Sequence, residues 1–268
     1  MSILTLDNVS LTYNNDDRPA ITDISFEIEE GEFMAVVGPS GCGKSSTVSL
    51  LSGLTLPSTG TITLNGSVIQ GPGIDRAVVF QDYSLFPWMT AFENIQFALN
   101  QLKRSSSAKD TKKEALNYLE LVGLSEAKNK YPGELSGGMR QRVAIARAFA
   151  LNAPVYLMDE PFGAVDAKSR VALQDLLLRL WVGTGRKKTV FLVTHDIDEA
   201  LYLADRIVVF TPGPGRIRRI VPVPFARPRQ RYFLIQEPAY IALRNELLSL
   251  LQHDLLDEIQ QVEEGSGI

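Results

Sequence analysis

At 268 residues, with 45% hydrophobic and 22% charged residues, the chain can build one large α/β unit or two smaller lobes around a core that needs no disulfide or metal. Its 27 basic and 31 acidic residues leave a net charge of −4, which argues against the strongly basic balance of a dedicated nucleic-acid binder. The single cysteine, Cys42, excludes an intrachain disulfide and suits a reducing compartment. With no basic-then-apolar leader at residues 1–7 and no apolar run of about 20 residues, a soluble chain is expected.

Residues 3–6, 9–13 and 24–28 alternate apolar with polar and predict strands of an N-terminal β region. The continuous apolar run 33–37 predicts a strand buried on both faces, as in a parallel sheet. A glycine-rich turn then leads to a helix over 44–54, which stops before Pro57. Residues 61–66 read as a hairpin arm and 77–80 as another strand. From about Thr90 to Ala150 the pattern is helical, interrupted by the polar stretch 103–107, and predicts a helical lobe inserted into the core. Strands return at 155–158, 189–193 and 206–210, and their alternation with helices predicts an α/β core with a mainly parallel sheet. A proline- and arginine-rich stretch follows Thr211, then a leucine-rich helix over 238–262 whose Leu248, Leu251, Leu255, Ile259 and Val262 form one stripe. The expected division is a core of 1–86 and 155–215, a helical lobe of 87–154 and a C-terminal extension of 216–268.

Gly38-Pro39-Ser40-Gly41-Cys42-Gly43-Lys44-Ser45, followed by Ser46, matches G-x-x-x-x-G-K-[ST] between a buried strand and a helix. Glycines there let successive N–H groups converge on phosphate oxygens, and the helix N-terminus adds positive partial charge. Lys44 should reach the β- and γ-phosphates of a nucleotide, and the Ser45 hydroxyl should ligate Mg²⁺. Cys42 has two readings: helix-terminal charge lowers its thiol pKa, or it is a small filler residue.

The apolar run ending in Asp159-Glu160 places two carboxylates at the carboxyl end of a strand, where open parallel sheets hold ligands. Asp159 would hold Mg²⁺, and Glu160 would position and deprotonate an attacking water. Leu135-Ser136-Gly137-Gly138 opens a further helix and forms a second anion-seeking N-terminus. One phosphate loop already serves one nucleotide, so this element is surplus within a monomer. A dimer resolves the surplus: Ser136, Gly137 and Gly138 of one copy close over nucleotide held by the other.

This ordered set, from about residue 4 to 210, resembles the ATP-binding subunit of an ABC transporter. The resemblance implies a P-loop ATPase core with an antiparallel N-terminal region and an inserted helical lobe, using ATP and Mg²⁺. By the same resemblance Tyr13 stacks on adenine, and Gln81, after Val78-Val79-Phe80, senses the γ-phosphate and Mg²⁺. Asp166, in Pro161-Phe162-Gly163-Ala164-Val165-Asp166, communicates across the dimer, and His195 contacts the γ-phosphate. Val165 stands where the family usually has leucine. Tyr13 also reads as a space-filling aromatic and His195 as a structural histidine.

The segment 82–90 carries Tyr83, Leu85, Phe86 and Trp88; in the family it borders the groove that receives a short helix of the membrane permease. The same residues also read as core between lobes. Arg216, Arg218, Arg219, Arg227, Arg229 and Arg231 read as a solvated turn region or as a surface for anionic lipid. The motifs 71–76, 87–90, 159–163 and 211–217 resemble the nitrate, sulfonate, taurine and bicarbonate importers. That resemblance implies permease subunits, a second ATP-binding subunit (same or homologous) and an extracytoplasmic solute-binding protein as partners. It also implies no nucleic acid partner and a peripheral place on the cytoplasmic face of the inner membrane. An ABC-type ATPase acting on nucleic acid or ribosomes would show tandem cores, a coiled-coil insertion or a basic face. A regulatory subunit with little hydrolysis would lack Glu160 or His195.

Overall fold

Residues 2–13, 18–102, 108–163, 165–183 and 188–265 are described by the computed structural model, with side chains of the last helix described as far as Leu251. The polar break at 103–107 lies outside the described residues. The chain divides into two units, Met1–Gly71 with Leu192–Ile268, and Pro72–Phe191.

The first unit opens with β1 (Ser2–Leu11) and β2 (Ile21–Glu29), paired antiparallel with Leu6 opposite Phe26. Alternation decides the buried face: Ile24, Phe26 and Ile28 point inward while Ser25, Glu27 and Glu29 are exposed. The two strands expected at 3–6 and 9–13 are one. An irregularity between Leu6 and Val9, with Asn8 at φ 50°, lets a single ladder continue, and Tyr13 lies beyond its end. β3 (Phe33–Val37) is buried at every residue and runs into α1 (Lys44–Ser52), which stops at Gly53. β4 (Thr59–Leu64) pairs with the other edge of β1, and Asn65-Gly66, both at positive φ, turn the chain into β5 (Ser67–Val68).

In the second unit β6 (Arg76–Val79) lies parallel to β7 (Val155–Asp159), with Val79 opposite Met158. Between them in sequence come α2 (Ala91–Gln101), α3 (Ala108–Leu121) and α4 (Gly137–Ala150), which pack on one another. Thr90 and Glu93 close a reciprocal capping box at the start of α2. α5 (Ala167–Val182) follows β7 and buries Leu173, Leu177 and Trp181. β8 (Thr189–Val193), wholly buried, carries the chain onward.

The rest of the first unit comprises α6 (Ile197–Leu203), β9 (Arg206–Phe210), β10 (Ile217–Pro222), α7 (Arg231–Leu234) and α8 (Pro238–Gly265). β9 runs parallel to β3 and antiparallel to β10. The stretch after Thr211, read above only as proline- and arginine-rich, therefore holds a strand: Ile220 pairs with Val208, while Arg218 and Arg219 are exposed. α8 docks through Tyr240 and Leu247, both buried, and packs on α6 and β9. That face differs from the expected stripe: Leu248 and Leu251 are only partly buried, and the side chains of Leu255, Ile259 and Val262 lie outside the described residues.

Candidate functional site

The phosphate loop joins β3 to α1 within the first unit. Lys44 is buried, and its Nζ donates to the carbonyls of Gly38 and Pro39, each at 2.8 Å. An ammonium so placed is compensated by the loop that would present it to phosphate. Gly43, at φ 89°, opens the helix, and the first helical bond runs from Thr47 N–H to Gly43 O. A Cβ on Gly43 would sit 2.2 Å from Ile21 Cγ2 and 2.9 Å from Ala20 O. Behind the loop, Gly215 approaches so closely that a Cβ there would lie 1.9 Å from Cys42 O, and its backbone bonds to Ala20 and Thr22. The glycines of 211–217 thus brace the phosphate loop from beneath. Ser40 and Ser45 are exposed, while Gly41 is an exposed turn residue at φ 77°.

Cys42 is buried, and burial pushes its thiol up, with the Lys44 ammonium only partly offsetting this. The thiol is therefore not activated by the helix terminus; the residue fills space and offers the loop its backbone. Tyr13, 41% exposed, donates its hydroxyl to Ser46 Oγ at 3.1 Å, which brings the aromatic to the loop's edge with a free area for stacking.

His195 is exposed at the end of β8 and is bracketed by bonded neighbours. Thr194 N–H donates to Val36 O on β3, and Thr194 Oγ1 donates to the buried Glu199 carboxylate at 2.6 Å. Asp196 caps α6 by accepting from the Asp198 and Glu199 N–H groups.

In the second unit Asp159 ends β7 and Glu160 follows at φ 44°, a left-handed conformation that costs a non-glycine residue about 1–2 kcal/mol. Such strain concentrates at functional positions. Gln81 is exposed and shares with Asp159 a cleft of about 320 Å³, also lined by Phe80, Asp82 and Ser84. Ser136 is the N-cap of α4, its Oγ accepting from Met139 N–H, and Gly137 and Gly138 form the first turn. Asp166 caps α5; the Ser169 hydroxyl and N–H hold its carboxyl below the usual range. Ala164 lies outside the described residues.

The segment after Gln81 is held by α4, which sequence reasoning did not find. Arg147 donates to the carbonyls of Ser84 and Tyr83 and lies over the Phe86 ring, while Arg140 lies over Tyr83. Tyr83 and Ser84 both have positive φ, so the arginine secures a strained turn. Phe86 packs on Phe97 and Trp88, and lines a groove of about 460 Å³ with Ile74, Val78 and Phe80. Trp88 is 69% exposed, Leu85 half-buried.

The C-terminal arginines divide: Arg216, Arg218 and Arg219 are exposed, in line with the solvated reading, whereas Arg227 and Arg229 turn onto the chain itself. Arg229 is buried and donates to the Leu201, Tyr202 and Ala204 carbonyls, Arg227 pairs with Asp205, and Arg219 with Glu246. Burial, then the neighbouring Arg227, lowers the Arg229 pKa to about 10, which still leaves it cationic at neutral pH.

A family model described as ABC transporter matches residues 21–163. The bicarbonate transport ATP-binding protein CmpD of Synechocystis sp. is 43% identical over 253 residues, covering 93% of this chain and 89% of that protein. The nitrate import ATP-binding protein NrtD of Synechococcus elongatus is 46% identical over 251 residues, covering 92% and 91%. Among solved structures, the dimeric post-hydrolysis state of the ATP-binding cassette MJ0796, bound to ADP and Pi, matches with a TM-score of 0.74 and 32% identity over 83% of this chain and 100% of that one.

Proposed function

The chain belongs to the ABC transporter family as an ATP-binding subunit, and from that premise we propose that its dimer hydrolyses ATP to import a small anion of the nitrate, bicarbonate, sulfonate or taurine class. One observation carries the reading: a buried lysine ammonium held by carbonyls inside a glycine-hinged loop that opens a helix. The similarity to bicarbonate and nitrate import subunits over most of both chains supports the solute class.

In this reading Lys44 exchanges the Gly38 and Pro39 carbonyls for β- and γ-phosphate oxygens, while the backbone from Pro39 to Ser46 cradles them. Tyr13 stacks on the adenine. The donors offered to Mg²⁺ are hard oxygens, the Ser45 hydroxyl, the Gln81 amide and the Asp159 carboxylate. Each is the kind of hard oxygen donor that Mg²⁺ prefers. Mg²⁺ would supply charge neutralisation at the phosphates. Glu160 orients and deprotonates the attacking water, and His195 contacts the γ-phosphate. Ser136, Gly137 and Gly138 of a second copy, or of a homologous subunit, complete the nucleotide's enclosure, and Asp166 relays between copies.

The load is a membrane permease that holds this subunit at the cytoplasmic face of the membrane and receives anion from an extracytoplasmic solute-binding protein. The apolar groove beside Phe86, with exposed Trp88 and the neighbouring Tyr83 and Leu85, is its docking region. Glu160→Gln tests the core of the proposal. We expect an ATP-bound dimer that persists through gel filtration and a loss of about 10²–10⁴-fold in phosphate release. Unchanged release would remove Glu160 from its assigned role.

A further inference from the structure

The C-terminal part of the chain grips α6 at both ends, and the reading above uses neither grip. At the start, Asp198 Oδ1 accepts from Tyr240 Oη and from Arg244 Nε on α8, each at 2.7 Å. At the end, Arg229 donates to the Leu201, Tyr202 and Ala204 carbonyls, and Arg227 donates to the Leu203 carbonyl. These are the carbonyls that a seven-residue helix ending at Leu203 leaves without internal donors, so the two arginines act as its C-terminal cap.

From α6 the bonds lead to the two residues that flank His195. Asp196 accepts from the N–H groups of Asp198 and Glu199. Thr194 donates to Glu199 and accepts from Asp196 N–H at 3.0 Å. His195 thus stands between two residues that are both bonded into the first turn of α6. On its other side Thr194 is tied to Val36 O, two residues before the phosphate loop. A shift of that first turn moves the imidazole relative to the loop.

We propose that Asp198, Tyr240 and Arg244 are positioning residues for His195: α8 sets the orientation of α6 and through it the imidazole's aim at the γ-phosphate. This rests on the assignment of His195 made above. Removing the Tyr240 hydroxyl leaves its ring packed on Phe225 and changes only the bond to Asp198.

The test uses the full chain and measures kcat and KM for ATP in Tyr240→Phe/Arg244→Ala, in Arg244→Lys, and in the double variant combined with His195→Ala. A misplacement of a fraction of an ångström is expected to lower kcat about tenfold with KM within about twofold, with partial rescue in Arg244→Lys. On the residual His195→Ala rate the double variant should have no further effect. Proton NMR reads the imidazole directly, and the His195 ring signals are expected to move in the double variant. Wild-type kcat in the double variant, or the same loss in both backgrounds, overturns the positioning role. A His195→Ala variant as fast as wild type withdraws the histidine itself, and the positioning role with it. A slow His195→Ala beside a fully active double variant sinks the positioning role alone.

Discussion

Gly43 does two jobs that no other residue type combines, adopting φ 89° and leaving room for Ile21 Cγ2 at 2.2 Å from any Cβ. Gly43→Ala is expected to destabilise the chain by about 3 kcal/mol, from left-handed strain and overpacking together, and to abolish binding of a fluorescent ATP analogue. Thermal unfolding and fluorescence titration check both parts. Residues of the loop were legible because the chemistry is local: the spacing Gly38 to Ser45 is what lets consecutive N–H groups face one anion. The Cys42 thiol was not. Whether helix-terminal charge or burial controls it depends on packing around the loop, and burial wins.

At the scale of elements, the dock of α8 onto α6 depends on one carboxylate. Burial works to raise the Asp198 pKa, but the hydrogen bonds from Arg244 and then Tyr240 outweigh it and hold the carboxyl below its ordinary value. A depressed folded pKa contributes stability that is present above the ordinary value of 3.8 and lost as pH falls through the folded value. Amide exchange along the start of α8 should therefore accelerate on acidification below about pH 4, and Asp198→Asn should remove that step while loosening the dock at neutral pH. An acid step of undiminished size in Asp198→Asn would assign it to another group. Strands were readable at this scale when buried on both faces: 33–37, 189–193 and 206–210 coincide with β3, β8 and β9. β10 escaped notice because Arg218 and Arg219, both exposed, mask a run of Ile217, Ile220 and Val221.

For the whole molecule, the central expectation is that two copies complete each other's sites. Ser136→Cys on one copy and Ser40→Cys on another should crosslink when Glu160→Gln is saturated with nucleotide, and remain apart without it. Cys42 does not compete, because it is buried. Failure to crosslink under saturation would separate Ser136 from the partner's nucleotide.

Taken alone, the amino-acid order determined the α/β class, the glycine-rich turn into α1, the acids closing β7 and the helix start at Ser136. Each is a short-range pattern in which backbone geometry relates neighbours a few positions apart. Tertiary structure alone decided what holds the turn after Gln81 and helix α6: Arg147 on the Ser84 carbonyl 63 residues away, Tyr240 on Asp198 at 42, and Arg229 on the Ala204 carbonyl at 25. A long polar side chain can find any of many carbonyls or carboxylates. Only the packed chain brings one of them within reach and removes the water that would otherwise compete.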